Sequence, residues 1–199
     1  MKSKKSMLIG CLCALFLSAG ITAAYFTYWQ RINNQMTVGE STMEIEEDYK
    51  PPKELTIGEN VFKKTVQVKN TGGVPCFVRV YADFSDSTVK ELAALSPDGT
   101  AWFPASEYEK NLPNGWKYID ETDDPLLGGY FYWMEPLEPH NSTDPLFEKV
   151  KITFENSDQI TDFDIIVYGE CVQTLDVEGE EFSDSDAWEQ AWTEFLERR

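Results

Sequence analysis

A chain of 199 residues with 35 acidic and 17 basic side chains carries a formal charge of −18. Phosphate would be repelled by such a surface, which argues against a nucleic-acid partner. Aromatic residues at 14% are too many for a solvated acidic tail, so the bulk of the chain reads as one folded domain.

The first element is apolar. Lys2, Lys4 and Lys5 precede an uncharged run whose most apolar part, Met7 to Phe26, is 20 residues long. That length spans a bilayer, and the lysines would hold the N-terminal side in the cytoplasm. The greasiest block is shorter, Met7 to Leu17, and is followed by Ser18, Ala19, Gly20, Thr22, Ala23 and Ala24. Small residues after a short apolar block are what signal peptidase reads. We therefore favour residues 1–24 as a signal peptide cut between Ala24 and Tyr25; a retained membrane anchor is the alternative. Leu8-Ile9-Gly10-Cys11 has lipobox form, but too little apolar sequence precedes Cys11. Cleavage would leave 14 basic against 35 acidic side chains, about −21. It would also expose the arm 25–40, whose start carries Tyr25, Phe26, Tyr28 and Trp29. A free end that apolar must pack somewhere. It either joins its own sheet or donates a strand to a neighbour's open edge.

From 41 to 179 the signal is alternation, which marks half-buried strands. Met43–Glu47 is the first. Phe62, Val66 and Val68 share one parity; Cys76, Val78, Val80, Ala82 and Phe84 share another, with Arg79 and Asp83 opposite. Thr88–Leu95 predicts a short inserted helix within a long connection, 85–115. Trp116–Ile119 and Gly129–Met134 predict two short strands. Val150, Ile152 and Phe154 form the next alternating set, and Phe163, Ile165, Val167 and Cys171 the last. Turns rich in Gly, Pro and Asn separate these runs. About seven strands predict an all-β fold, an antiparallel β-sandwich of jelly-roll or immunoglobulin-like type. Residues 180–199 hold an amphipathic helix. Asp186 and Glu189 have the form of a capping box, and Trp188, Ala191, Trp192, Phe195 and Leu196 fall on one face. That face either packs on the sandwich, the favoured reading, or docks a partner.

Two cysteines lie beyond the leader, Cys76 and Cys171, both on core-facing parity. They either pair, as an exported protein permits, or pack as two small buried side chains. Catalytic chemistry finds little support. The single histidine, His140, has no second imidazole, no zinc-binding helix motif and no nucleophile elbow. We read the chain as not an enzyme and expect no cofactor. Asp120–Asp124 and Asp184–Asp186 offer oxygen ligands of the kind calcium takes, without EF-hand spacing, and read as solvated loops.

Three stretches carry a resemblance. The junction ITAAYFTYWQRINNQMTVGE, the strand–turn–strand VKNTGGVPCFVRVYADF (Val68 to Phe84) and GYFYWMEPLEPHNSTDPLFEKVKITFE (Gly129 to Glu155) follow one another in order. YGECVQTLDVEG (Tyr168 to Gly179) and the Trp-containing helix close the series. Together they resemble the TasA, CalY and camelysin-like exported proteins of Gram-positive bacteria. His140 stands where that pattern has glycine, and Cys76 and Cys171 are not part of it. The resemblance implies cleavage by a SipW-type signal peptidase and membrane contact only through the leader before cutting. It implies residence outside the cell and self-association into biofilm-matrix fibres. A monomeric surface or adhesion module, still held by its N-terminal apolar segment, is the competing expectation.

Overall fold

The computed structural model describes residues 41–198, except Pro51 and Lys53. Among the described residues nine strands are formed: β1 (Met43–Lys50), β2 (Gly58–Asn70), β3 (Cys76–Phe84), β4 (Ala93–Ser96), β5 (Phe103–Pro104), β6 (Trp116–Ile119), β7 (Tyr130–Leu137), β8 (Phe147–Phe154) and β9 (Ile165–Gln173). They build two antiparallel sheets, one ordered β1-β2-β8-β4-β5 and the other β6-β7-β3-β9. Helix α1 (Ser87–Glu91) lies between β3 and β4, and helix α2 (Ala187–Glu197) follows β9. The all-β sandwich expected from alternation is the observed architecture.

Parity explains the core. Phe62, Val66 and Val68 of β2, Val78 and Val80 of β3, and Val150, Ile152 and Phe154 of β8 are all buried in one apolar layer between the sheets. Burial of each such side chain contributes about 2 kcal/mol. Turns are pinned by buried polar groups. Asn70, with no exposed surface, donates its side-chain amide to Val74 O at 2.8 Å and Leu137 O at 2.7 Å. Its Oδ1 accepts from Gly72 N at 2.8 Å. The Asn-Thr-Gly turn thus ties the end of β2 to β3 and β7.

A second apolar layer lies on the other side of the β6-β7-β3-β9 sheet. Phe77, Tyr132 and Val172 project from that face and are covered by Trp188, Ala191 and Trp192 of α2. The amphipathic helix therefore packs on its own sandwich, with Phe195 and Leu196 at the margin of the contact.

The structure corrects four expectations. The inserted helix ends at Glu91 rather than Leu95. Ala93–Ser96 is instead a strand, with Ala93 opposite Ile152 and Leu95 opposite Val150 of β8. Helix propensities of Ala and Leu differ from other residues by tenths of a kcal/mol, roughly, whereas burying Leu95 against β8 contributes about 2 kcal/mol. The connection 85–115 accordingly holds α1, β4, β5 and a 3-10 turn at Ala105–Lys110. Strands β4 and β5 raise the number from seven to nine. Asp186 precedes α2 without capping its backbone; its Oδ1 accepts from Gln190 Nε2 at 2.9 Å. Finally, β7 runs on to Leu137, because Cys76 lies opposite that residue.

Candidate functional site

Each sheet of an open sandwich ends in strands with unpaired main-chain groups, and those are templates for another strand. Among the described residues, the four such edges differ sharply. β5 is two residues long and β6 four, too short to hold a partner strand. β1 has eight residues and β9 nine.

The edge β1 is defended by charge. Glu44, Glu46, Glu47 and Asp48 lie along it. Glu47 stands on the core side, opposite Val66, and its carboxylate accepts from Lys64 Nζ at 3.0 Å. Lys64 is itself only 6% exposed, and lies over the Tyr49 ring at 5.1 Å. Glu46 on the outer side accepts from Gln67 at 2.8 Å and from Ser142 Oγ at 2.8 Å. These bonds, led by those from Gln67 and Ser142, hold the Glu46 carboxyl below its ordinary range. Inward-pointing ion pairs and rows of carboxylates are how natural sheets discourage edge pairing. An open cleft of about 670 Å³ along β1 is lined mainly by these acids.

The edge β9 is the opposite. Its sequence, IIVYGECVQ, has one charged residue, Glu170. That carboxylate accepts from Arg79 Nε at 2.8 Å and from Arg79 Nη2. Ile166 and Tyr168 face outward, each 44% exposed. Tyr168 stacks on Tyr81 of β3, centroids 4.8 Å apart, and its hydroxyl meets that of Tyr130 at 3.2 Å. The contact with Tyr130, followed by desolvation, pushes the Tyr168 hydroxyl up to about 12. On the inner side, Ile165, Val167 and Cys171 pack against the core. Among the described residues, no strand pairs with β9 on the side away from β3.

Gly169 sets how β1 and β9 approach. A Cβ there would stand 2.7 Å from Met43 Cε and 2.8 Å from Ile45 Cδ1, so the tips of these two β1 side chains lie directly against β9 at this glycine. The described chain therefore begins its first strand beside the middle of β9.

Beneath α2, Arg79 is the central polar group. It is 3% exposed, with its guanidinium carbon 3.9 Å from the Tyr130 ring centre and 4.3 Å from that of Trp192. Its Nη1 donates to Tyr132 Oη at 3.2 Å, and Tyr132 Oη donates to Leu127 O at 2.6 Å. Burial works to lower the Arg79 pKa, but the bonds to Tyr132 and Glu170 outweigh it and hold the guanidinium more firmly charged than usual. Sequence parity placed Arg79 on the outer face but gave it no role.

A cavity of about 260 Å³ lies between the sheets, with Phe84, Leu95, Phe131 and Phe147 in its wall. Its charged lining includes Glu109, Glu121 and the Asp83–Lys90 ion pair at 2.7 Å. Tyr108 in this wall donates to Leu146 O at 2.6 Å. Among the described residues, no histidine, serine or cysteine lines it.

The sequence-predicted site residues fall into two groups. Ala24 and Tyr25 of the cleavage point, and Phe26, Tyr28 and Trp29 of the arm, lie outside the described residues. Cys76 and Cys171 are brought together on neighbouring strands as free thiols, Cys171 opposite Val78 and Cys76 opposite Gln173. His140 sits in the turn before β8 with φ of 66°, and its N–H donates to Asn70 O at 2.8 Å. The acidic loops are engaged locally: Asp120 accepts from Thr122, and Asp124 from the N–H groups of Leu126 and Leu127. Among the described residues, no three His, Cys, Asp or Glu side chains converge as metal ligands, and no helix is long and apolar enough to cross a membrane. No protein-family model matches the sequence, and comparison with curated proteins finds no match.

Proposed function

We propose that this chain is an exported structural subunit of TasA-like type, outside a Gram-positive cell, which assembles by strand donation. Cleavage between Ala24 and Tyr25 by a SipW-type peptidase releases the arm 25–40. The arm then adds as a strand to β9 of a neighbouring copy. The observation that carries this reading is the contrast between the two long edges: β1 is acidic along its length, whereas β9 is apolar and has one charge, itself held by Arg79.

Dimensions support it. Nine strand residues extend over roughly 30 Å, and the 16 residues of the arm reach roughly 50 Å when extended. The arm is long enough to cover the edge and still join β1. Main-chain bonds along β9 would supply affinity, and the aromatic side chains of the arm, Tyr25 and Trp29 on one face with Phe26 and Tyr28 on the other, specificity. Donation from copy to copy does not close on itself, so it propagates as a fibre. With about −21 charges on each mature copy, mutual repulsion opposes assembly and added salt relieves it. Before cutting, the leader holds the arm at the membrane.

One observation favours a second reading. Met43 and Ile45 lie against Gly169, so each chain enters its sandwich beside its own β9. The arm could close on that edge, which would give the monomeric surface module. Comparing the mature chain, starting at Tyr25, with a chain starting at Val38 separates the two. Strand donation predicts fibres from the first and monomers from the second. Equal fibre formation by both would sink it, and a strictly monomeric mature chain at all concentrations would establish the closed form.

A further inference from the structure

We infer that Cys76 and Cys171 are the two ends of a disulfide in the exported protein, a bond that staples the outer strand β9 to β3, with Cys171 reacting first.

The placement is specific. β3 and β9 are paired without interruption from Cys76 opposite Gln173 to Phe84 opposite Ile165. Cys171 lies opposite Val78, so the two cysteines are diagonal neighbours on the same, core-facing side. Cys76 is fully buried and Cys171 packs against the same apolar layer. The two thiols are close enough for each to perturb the proton affinity of the other. A diagonal pair must close further to reach the S–S length of about 2.05 Å. Two thiolates alone are too few for a structural zinc, and among the described residues no third ligand converges on them.

The asymmetry sets the order of reaction. The Cys76 thiol beside it lowers the Cys171 pKa, whereas Cys76 is raised by the same neighbour and by burial. Cys171 is also the more accessible of the two. Its thiolate attacks one sulfur of an oxidised disulfide carrier, and the carrier's other sulfur leaves as a thiolate. Cys76 then loses its proton and attacks the Cys171 sulfur, displacing the second carrier sulfur. The protein gives up two electrons and two protons; the carrier leaves as its dithiol form.

This pairing does not depend on how the arm is used. The test uses the full chain with glutathione disulfide as oxidant, followed by alkylation in denaturant and peptide mapping without reduction. The expected result is a linked peptide pair containing Cys76 and Cys171. Brief alkylation of the folded, reduced chain should label Cys171 ahead of Cys76. A bridge across 95 positions raises the melting temperature by roughly 10 °C over the reduced chain, and Cys171→Ala abolishes that difference. The inference is overturned if both cysteines are recovered alkylated, if Cys171 stops at the mixed disulfide with glutathione, or if either links only to Cys11 or Cys13. Should Cys171→Ala fail to fold, the peptide map of the unaltered chain still decides.

Discussion

Replacing Arg79 by methionine keeps the apolar stem and removes the charged head. The loss can be worked from its contacts. The guanidinium is desolvated between the Tyr130 and Trp192 rings at 3.9 and 4.3 Å, and such contacts contribute about 1–2 kcal/mol each. Its charge-assisted bonds to Glu170 contribute about 2 kcal/mol more. Against this, the methionine need not be desolvated as an ion, which returns part of the total. A net destabilisation of about 3 kcal/mol follows, because Glu170 loses the guanidinium while Tyr132 loses a donor. Trp188 and Trp192 sit on the helix that Arg79 holds, so urea unfolding followed by tryptophan fluorescence reports the contact directly. At a slope of about 2 kcal/mol per molar urea the midpoint drops by about 1.5 M. Arg79→Lys keeps charge but loses the planar fork and the stacking, and should fall between. A methionine variant as stable as the parent, or a lysine variant indistinguishable from it, refutes the reasoning.

Three further predictions concern turns. His140→Gly should raise stability by about 0.5–1 kcal/mol, because φ of 66° is a left-handed conformation costing other residues about 1–2 kcal/mol, part of which glycine returns as chain entropy; a loss of stability on thermal unfolding would contradict this. Gly115→Ala should cost about 2–3 kcal/mol, since φ is +86° and the new Cβ would stand 2.4 Å from Trp133 Cζ3; an unchanged melting temperature would show that this turn yields. Asp98 accepts from the N–H groups of Thr100 and Ala101, and these bonds lower its carboxyl from 3.8 to about 2. A depressed folded value means a contribution present above pH 3.8 and lost as pH falls through about 2. Asp98→Asn should therefore flatten the stability–pH curve between about pH 4 and pH 2, and a slope identical to the parent's would remove Asp98 from the account.

Period-two parity carried most of the strands, because a buried face demands apolar residues at every second position. Phe62, Val66 and Val68, and Val150, Ile152 and Phe154, are buried as that pattern requires. Ala93–Ser96 was hidden because its four residues are too few to show a period, and helix-forming Ala and Leu dominate them. What identifies it is pairing with β8, far along the chain. Lys64 sits on the buried parity of β2 and looks like a fault in the pattern until Glu47 of β1 is placed beside it. The role of Arg79 had a faint signal. Phe77 and Tyr81 flank it on the outer parity of β3, so that strand is apolar on both faces and needs cover on both. The candidate edge was not legible at all. IIVYGECV reads as a strand from its residues, but whether a strand lies at the margin or the middle of a sheet is fixed by the order of the others.

Amide hydrogen exchange along Ile165–Gln173, measured on the mature chain as monomer and again in assembled fibres, tests strand donation most directly. The account predicts that outward-pointing β9 amides exchange quickly in the monomer and become strongly protected in the fibre, together with amides of the segment 25–40. Fibres in which β9 exchanges as fast as in the monomer would contradict it.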